Sequence, residues 1–499
     1  MSQLKKGVVL SYLNIFLTNA VGIFLTPFMI HSLGKSDYGL YLLIGSFVTY
    51  ISLMDLGLNN TIIRFVAKYR AEKDKIGEEN FLATTMLIYF FISIIITIIG
   101  LSLYFNLESL FGKSLSAAEM VKAKLMFMIL VFNMAITLPG GAFQAISSGY
   151  EQFVFPRITT TIRYVLRASL LVAILWLKGD SVSIVILDTV MNILFVSINM
   201  TFVFKYLKVK FKLHVFNRNL IKEIFSYSIW IFIYALVQQF QWQSGQVILG
   251  MKENTTTVAI FGVGVMLGTY YGAFAAAINS VLLPKATKMV VNNNSSEELT
   301  MMMAKIGRIT FLLLNLILIG FITFGKEFIF LWVGASFGDS WLITLLIMLV
   351  MTIPLTQSFG NSILEASNKI RVKAILNLTT MTLGVGMGYF FSGLYGGLGM
   401  ISCIVSAMFV NFIITNIYFV KMFNFKYILF FKEVFTKSIV IFFILLIIGW
   451  QINTFFVSYS WTMLLLKIGI VGLLYITMVY FIQLNKSEKQ SVLKIFKRT

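Results

Sequence analysis

The sequence predicts an all-α polytopic membrane protein, and three observations carry that prediction. Apolar residues recur in long uninterrupted runs, basic residues gather in alternate connectors, and the second half of the chain echoes the first. Of 499 residues, 58% are hydrophobic and 12% charged, with a mean hydropathy of +0.88. A soluble chain of this length carries about 25% charged residues. Here the runs are about twenty residues long, enough to cross roughly 30 Å of hydrocarbon as helix. Lipid admits only helices or closed barrels, and unalternating stretches such as YFFISIIITIIGLSLYF (89–105) exclude the barrel.

Fourteen spans are expected, at 8–30, 38–60, 81–105, 122–147, 155–177, 182–204, 225–250, 257–283, 303–324, 341–364, 371–391, 397–420, 438–456 and 461–483. The first has two lysines before an apolar run, as a signal peptide would. It extends to about Ile30 and ends in no small-residue cleavage site, so it reads as a transmembrane helix. An even number of spans puts both termini on one side. That side collects 32 of the 40 Lys and Arg residues, while the opposite side has seven, balanced by seven acids. This is the positive-inside pattern, and it makes the basic side, with both termini, cytoplasmic. The net charge of +20 is therefore topological, and nucleic acid is not an expected partner. The single Cys403 excludes a disulfide, and His31 and His214 have no metal-ligand spacing, so neither metal nor cofactor is expected.

The longest basic connector, KYLKVKFKLHVFNRNLIKE (205–223), divides the chain into groups of six, six and two spans. The expected organisation is an N-lobe at 1–207, a basic cytoplasmic connector at 208–224, a C-lobe at 225–420, and two further helices with a basic tail at 421–499. Across the connector, Leu33-Gly34 before Tyr38-Gly39 matches Leu249-Gly250 before Phe261-Gly262. ITLPGGAFQAISSGYEQFVFPRITTTI (136–162) likewise resembles TIPLTQSFGNSILEASNKIRVKAILNL (352–378). The first pair, Leu33 and Leu249, is offset by 216 residues, Pro139 and Pro354 by 215, and Ile146 and Ile363 by 217. Copies separated by six spans share one orientation, so two pseudo-symmetric lobes are expected about an axis along the membrane normal, with a cleft between them that can open to either side.

The stretch SLGKSDYGLYLLIGSFVTYISLMDLGLNNTIIRFVAKY (32–69) resembles the start of the polysaccharide transporter family of the MOP flippase superfamily, the Wzx-type exporters of lipid-linked oligosaccharides. The matching residues are Leu33, Gly34, Tyr38 and Gly39, the triplet Asp55-Leu56-Gly57, and Arg64 followed by Ala67; SILEASNKIRVKAILNL (362–378) looks like the family's join between helices ten and eleven. The resemblance implies two six-helix lobes in a V with two extra C-terminal helices. It also implies movement of an undecaprenyl-diphosphate-linked glycan, for O-antigen, capsule or a similar surface polymer, between leaflets of a bacterial inner membrane. Membrane lipids and other polysaccharide-assembly proteins are then expected partners.

Polar residues inside apolar spans mark the candidate site. LVQQFQWQSGQVIL (236–249) places Gln239, Gln243 and Gln246 on one face of helix seven, bordered by Trp242 and Gln238. Carboxamides beside an indole suit sugar hydroxyls and ring faces in a wet cleft. The competing reading is hydrogen bonding between helices, worth about 0.6 kcal/mol each in a membrane. Tyr12, Asn14 and Thr18 on helix one, and Tyr270, Tyr271 and Asn279 on helix eight, are expected to face the same space. Arg163 and Arg167 lie four apart on helix five, and Arg167 sits near mid-span. Two forked guanidiniums a turn apart could hold a diphosphate; the alternative is an ion pair with Asp188 on helix six. Asp55 reads either as a coupling carboxyl or as a helix-end carboxylate meeting Arg64 or backbone N–H groups, and Arg64 as a guide for lipid phosphate. Lys305, Arg308, Lys369, Arg371 and Lys373 are expected to snorkel to headgroups. The glycines of helices eight, eleven and twelve serve either packing or hinging.

An alternating-access flippase fits these residues best. Gly34-Lys35, Gly112-Lys113 and Gly325-Lys326 lack the phosphate-loop frame that ATP hydrolysis would need. A cation-coupled multidrug antiporter of the same superfamily is the second reading, opposed by the absence of an acid in 8–30. A membrane enzyme of glycan assembly is the third, opposed by short, neutral outer loops.

Overall fold

The computed structural model describes residues 3–279, 282–367, 369–456, 460–483 and 489. Among these the chain is helical and no strand occurs. The helices are α1 Gln3–Ser52, α2 Leu58–Glu72, α3 Lys75–Phe111, α4 Ala117–Gly149, α5 Val154–Trp176, α6 Ser181–Thr201, α7 Arg218–Lys252, α8 Thr255–Asn279, α9 Leu283–Val291, α10 Ser296–Val333, α11 Gly338–Thr356, α12 Ser358–Ala366, α13 Ile370–Phe423, α14 Tyr427–Phe455 and α15 Trp461–Met478. Starts are fixed by side-chain caps. Ser116 with Glu119 and Ser295 with Glu298 form capping boxes, and Asp74 and Asp180 cap α3 and α6.

Eleven stretches among the described residues are long and apolar enough to cross a membrane. Two of them, Leu17–Glu72 and Val372–Phe423, run 56 and 52 residues, more than a single crossing needs. Each is broken where two expected spans meet. Gly34 (φ 77°, ψ 168°) interrupts α1, and Tyr395 with Gly396 (φ 54°) interrupts α13. The turns expected there are kinks, because a glycine at positive φ redirects the chain within one or two residues.

Other boundaries shift for local reasons. The expected span 38–60 is cut by the 3₁₀ turn Leu53–Asp55 and by left-handed Leu56 (φ 52°) and Gly57 (φ 76°). The chain restarts as α2, which continues to Glu72 with Ile62, Phe65 and Val66 buried and Arg64, Lys68 and Arg70 exposed. The expected span 341–364 breaks at Gln357, just after Pro354, into α11 and α12. Pro139, by contrast, sits inside a continuous α4.

The chain forms two compact units, Met1–Ala259 and Ile260–Thr499. In the first, Phe65, Phe81, Tyr89, Ile96 and Ile146 build a core between α2, α3 and α4, and α7 packs against α1, α2 and α3. In the second, Met303, Phe311, Phe359 and Phe430 build a core joining α9, α10, α12 and α14, while Leu464, Val471 and Tyr475 seat α15 beside α10. Many of the longest apolar side chains point outward instead. On α3, Phe90, Phe91, Ile94 and Ile98 are exposed while Ile92 and Ile96 are buried, as lipid-facing helices require.

The glycines of α8 serve packing. A Cβ at Gly264 or Gly268 would stand 2.6 Å from Ile343 or Ile347 of α11, and the Gly264 carbonyl accepts from Thr344 Oγ1 at 3.0 Å. Small residues here let two helices touch through their backbones.

Candidate functional site

The two intramembrane arginines are placed by α5, and their partners by the antiparallel face of α6. Arg167 Nε donates to Asp188 Oδ1 at 2.5 Å and its Nη2 to Asp188 Oδ2 at 2.9 Å. The same Nη2 donates to the Tyr41 hydroxyl of α1 at 3.1 Å. One turn earlier, Arg163 Nη2 donates to Asn192 Oδ1, and the Asn192 amide passes on to Asn133 Oδ1 of α4 at 2.9 Å. Thr137 Oγ1 closes this chain on Asn133 Oδ1 at 2.8 Å. The i, i+4 pair on α5 thus meets an i, i+4 pair on α6 as a two-rung ladder.

The two rungs differ. Arg167 and Asp188, with side chains 26% and 23% exposed, satisfy the forked charge pairing that an arginine inside a membrane demands. Arg163 meets a neutral carboxamide. Among the described residues it makes this single side-chain bond, so most of its N–H donors stay available. The ladder is a strut and, at its Arg163 end, an unsaturated cation.

Asn14 lies in α1 against α5. Its amide donates to the Arg157 carbonyl at 3.1 Å and its oxygen accepts from Thr161, so this buried side chain is spent on helix packing. Thr18 donates to the Asn14 carbonyl within its own helix. The α7 stripe behaves differently. Gln239, Trp242 and Gln243 are half-buried and Gln246 is buried. Among the described residues the Gln239, Gln243 and Gln246 side chains form no hydrogen bond, whereas their neighbour Ser244 shares one with Tyr50 of α1 at 2.6 Å. The side chains of Tyr12, Gln238 and Asn279 lie outside the described residues, as does that of Arg371.

Asp55 occupies the break before α2. Its Oδ1 accepts from the Tyr89 hydroxyl at 2.6 Å and from Asn59 Nδ2 at 2.9 Å, and its Oδ2 from the Asn59 N–H at 3.4 Å. Its carboxylate closes the N-terminus of α2 where Leu56 and Gly57 have left the helix. Arg64 is exposed on α2, with the Phe65 ring 6.0 Å away. Tyr270 is half-buried in α8, while Tyr271 is buried and hydrogen-bonded to Thr352 at 2.7 Å. Lys373, expected at the headgroups, turns to Asn361 of α12 instead, and Lys369 lies 5.5 Å from the Phe423 ring.

Three partners escaped the sequence reading. Tyr41, Asn192 and Asn133 hold the arginines, yet only Asn192 carried a usable signal, its four-residue spacing from Asp188. A further ion pair was also missed: Lys467 of α15 donates to Glu327 of α10 at 2.8 Å and to Asn453 at 3.2 Å, both charged side chains almost fully buried. It pins the last helix to the second unit.

The fold and this polar interior define a multi-pass helical membrane protein. The chain aligns with a structure titled lipid II flippase MurJ, inward closed conformation, at TM-score 0.72 and 18% identity, covering 94% of this chain and 98% of that one. It aligns with the inward-facing conformation of a multidrug resistance MATE family transporter of the MOP superfamily at TM-score 0.67 and 15% identity, covering 84% and 99%. An outward-facing MATE conformation gives 0.57 at 15% identity, covering 84% and 97%. No curated protein matches the sequence. A family described as polysaccharide biosynthesis protein matches residues 4–290, and the chain belongs to that family.

Proposed function

We propose that the protein is a flippase that carries an undecaprenyl-diphosphate-linked oligosaccharide from the cytoplasmic to the outer leaflet by alternating access, in a bacterial inner membrane. Family membership and fold support a MOP-type flippase. The observation that carries the substrate class is the contrast within the first unit. Asn14 is used up in packing, yet among the described residues Arg163 keeps spare donors and the Gln239, Gln243 and Gln246 carboxamides are unspent. Spare guanidinium N–H groups suit phosphate oxygens, and free carboxamides with Trp242 suit sugar hydroxyls and ring faces. The arriving diphosphate takes the free donors of Arg163 while Asp188 keeps Arg167 charged and oriented. The N- and C-lobes rock about the pseudo-axis, and the prenyl chain stays in lipid.

Alternating access also needs a connection that can break. Just past the Gly34 kink of α1 and at the starts of α4 and α8, the Glu119 carboxylate accepts from Ser36 and from Thr255 Oγ1 at 2.7 Å, and Ser114 donates to the Gly250 carbonyl near the end of α7. These bonds hold α7 and the start of α8 against α1 and α4, and they part when the outer side opens. Asp55, with its oxygens committed to Tyr89 and Asn59, serves the helix break and is not the coupling group.

The test is complementation of a strain deleted for this gene. Wild-type protein restores glycan at the cell surface, and Arg163→Ala inserts at normal level without restoring it. Normal export by Arg163→Ala removes that guanidinium from the substrate path.

A further inference from the structure

A second cationic site lies away from the arginine ladder in the first unit, on the side that the charge pattern predicts to be cytoplasmic. A cavity of 550 Å³ opens between the end of α2, the start of α3, the residue that follows α4 and the chain that follows the π-helical turn Phe202–Tyr206. Arg70, Lys73, Lys75, Lys208 and Lys210 line it, with Glu78 and Glu79 as its acids. Both acids are engaged: Glu78 is buried and accepts from the Tyr150 hydroxyl at 2.5 Å, and Glu79 pairs with His214 at 2.9 Å. Among the described residues none of the five cations has a carboxylate within ion-pair distance.

The site is held in place. The Arg70 guanidinium lies 4.0 Å from the centre of the Tyr150 ring, and Glu78 fixes that ring through its hydroxyl. Burial pushes the Tyr150 hydroxyl above its ordinary pKa, the Glu78 carboxylate adds to this and Arg70 opposes it, so the phenol stays a neutral donor. Lys73 (φ 57°) and Lys208 (φ 54°) adopt left-handed backbone at positions where glycine would be cheaper. Cationic side chains stand there in spite of that strain.

We propose that Arg70, Lys73, Lys75, Lys208 and Lys210 bind a phosphoanion at the cytoplasmic face. Unpaired cations of like charge repel, so the cluster is stabilised by an anion of more than one charge. A phosphate group accepts the guanidinium fork and the lysine ammoniums together. Two sources offer that chemistry: the headgroup of an anionic inner-leaflet lipid, and a soluble phosphate compound of the cytoplasm. The site stands whether or not the arginine ladder carries substrate, because the two share no residue.

The test uses the purified full-length chain. Calorimetric titration with inorganic pyrophosphate probes the soluble source. Nanodiscs of phosphatidylcholine doped with phosphatidylglycerol, followed by counting retained lipid in native mass spectra, probe the headgroup. The wild type binds at least one probe, and Arg70→Gln/Lys210→Gln weakens that binding tenfold or more. Lys75→Gln/Lys210→Gln, at exposed positions with no packing role, weakens it in the same direction and serves if loss of the Tyr150 contact perturbs folding. Pyrophosphate binding alone assigns the soluble source, and phosphatidylglycerol retention alone assigns the lipid. Absence of binding by both probes, or equal binding by wild type and both variants, overturns the site.

Discussion

Arg167 grips Asp188 with both arms of its guanidinium, Nε to Oδ1 at 2.5 Å and Nη2 to Oδ2 at 2.9 Å, one turn along α5 from the weaker contact between Arg163 and Asn192. One rung is charge-compensated and the other is not. That difference separates a strut at Arg167 from a guanidinium at Arg163 that keeps free donors among the described residues.

Removing Arg167 strands a carboxylate inside the membrane. Arg167→Ala is expected to destabilise the protein by roughly 3–5 kcal/mol, toward the lower figure because both partners keep some exposure. Arg167→Ala/Asp188→Ala should cost less than the sum of the single changes, with a coupling of about 0.5–3 kcal/mol. Thermal unfolding of the four detergent-solubilised proteins measures this cycle, and additive costs would remove the strut.

Cysteine accessibility tests the glutamine stripe. Cysteines at 239 and 243, both half-buried positions, should react with a water-soluble maleimide in intact cells or inverted vesicles. One at 246, where the glutamine is 8% exposed, should react more slowly. Gln243→Ala should leave stability within about 0.5 kcal/mol, since no bond to a described residue is lost. Complete protection of all three positions would assign the stripe to helix packing.

Asp55 is expected to behave as a cap. Asparagine caps helices about as well as aspartate, and its oxygen can still accept from Tyr89. Asp55→Asn should therefore retain transport and any ion dependence, while Asp55→Leu should lower the unfolding temperature. Loss of ion dependence in Asp55→Asn, with transport intact, would make this carboxyl the coupling group after all.

The Lys467–Glu327 pair of the second unit offers a contrast, since it shares no residue with the proposed substrate path. Lys467→Met leaves Glu327 buried and unpaired, at a cost of about 3–5 kcal/mol. Lys467→Met/Glu327→Leu should recover most of that stability while glycan export continues, measured by unfolding temperature and surface glycan side by side. Failure of the double variant to recover would give the pair another role.

Much of the fold was legible because lipid enforces simple rules. Apolar runs marked the helices. Asp188 was named as partner of Arg167 because an intramembrane charge must be met. Kinks replaced expected turns at Gly34 and at Gly396, since a hydropathy profile does not separate a one-residue redirection from a loop. The neutral partners Tyr41, Asn133 and Asn192 were not legible, because a phenol or carboxamide among apolar residues has many possible fates. The basic clusters at 68–75 and 205–222 were visible as charge runs, but the cavity they share was not. Arg70 and Lys208 lie far apart in the chain, and only folding brings them together.

The most direct measurement is translocation itself. Purified protein is reconstituted into vesicles with an undecaprenyl-diphosphate-linked oligosaccharide in both leaflets, and a membrane-impermeant glycosidase added outside reads how much becomes accessible. Wild-type protein is predicted to expose nearly the whole pool, and Arg163→Ala only the outer half. Wild-type vesicles in which the inner half stays protected, or Arg163→Ala vesicles that release it as fast as wild type, would contradict the account.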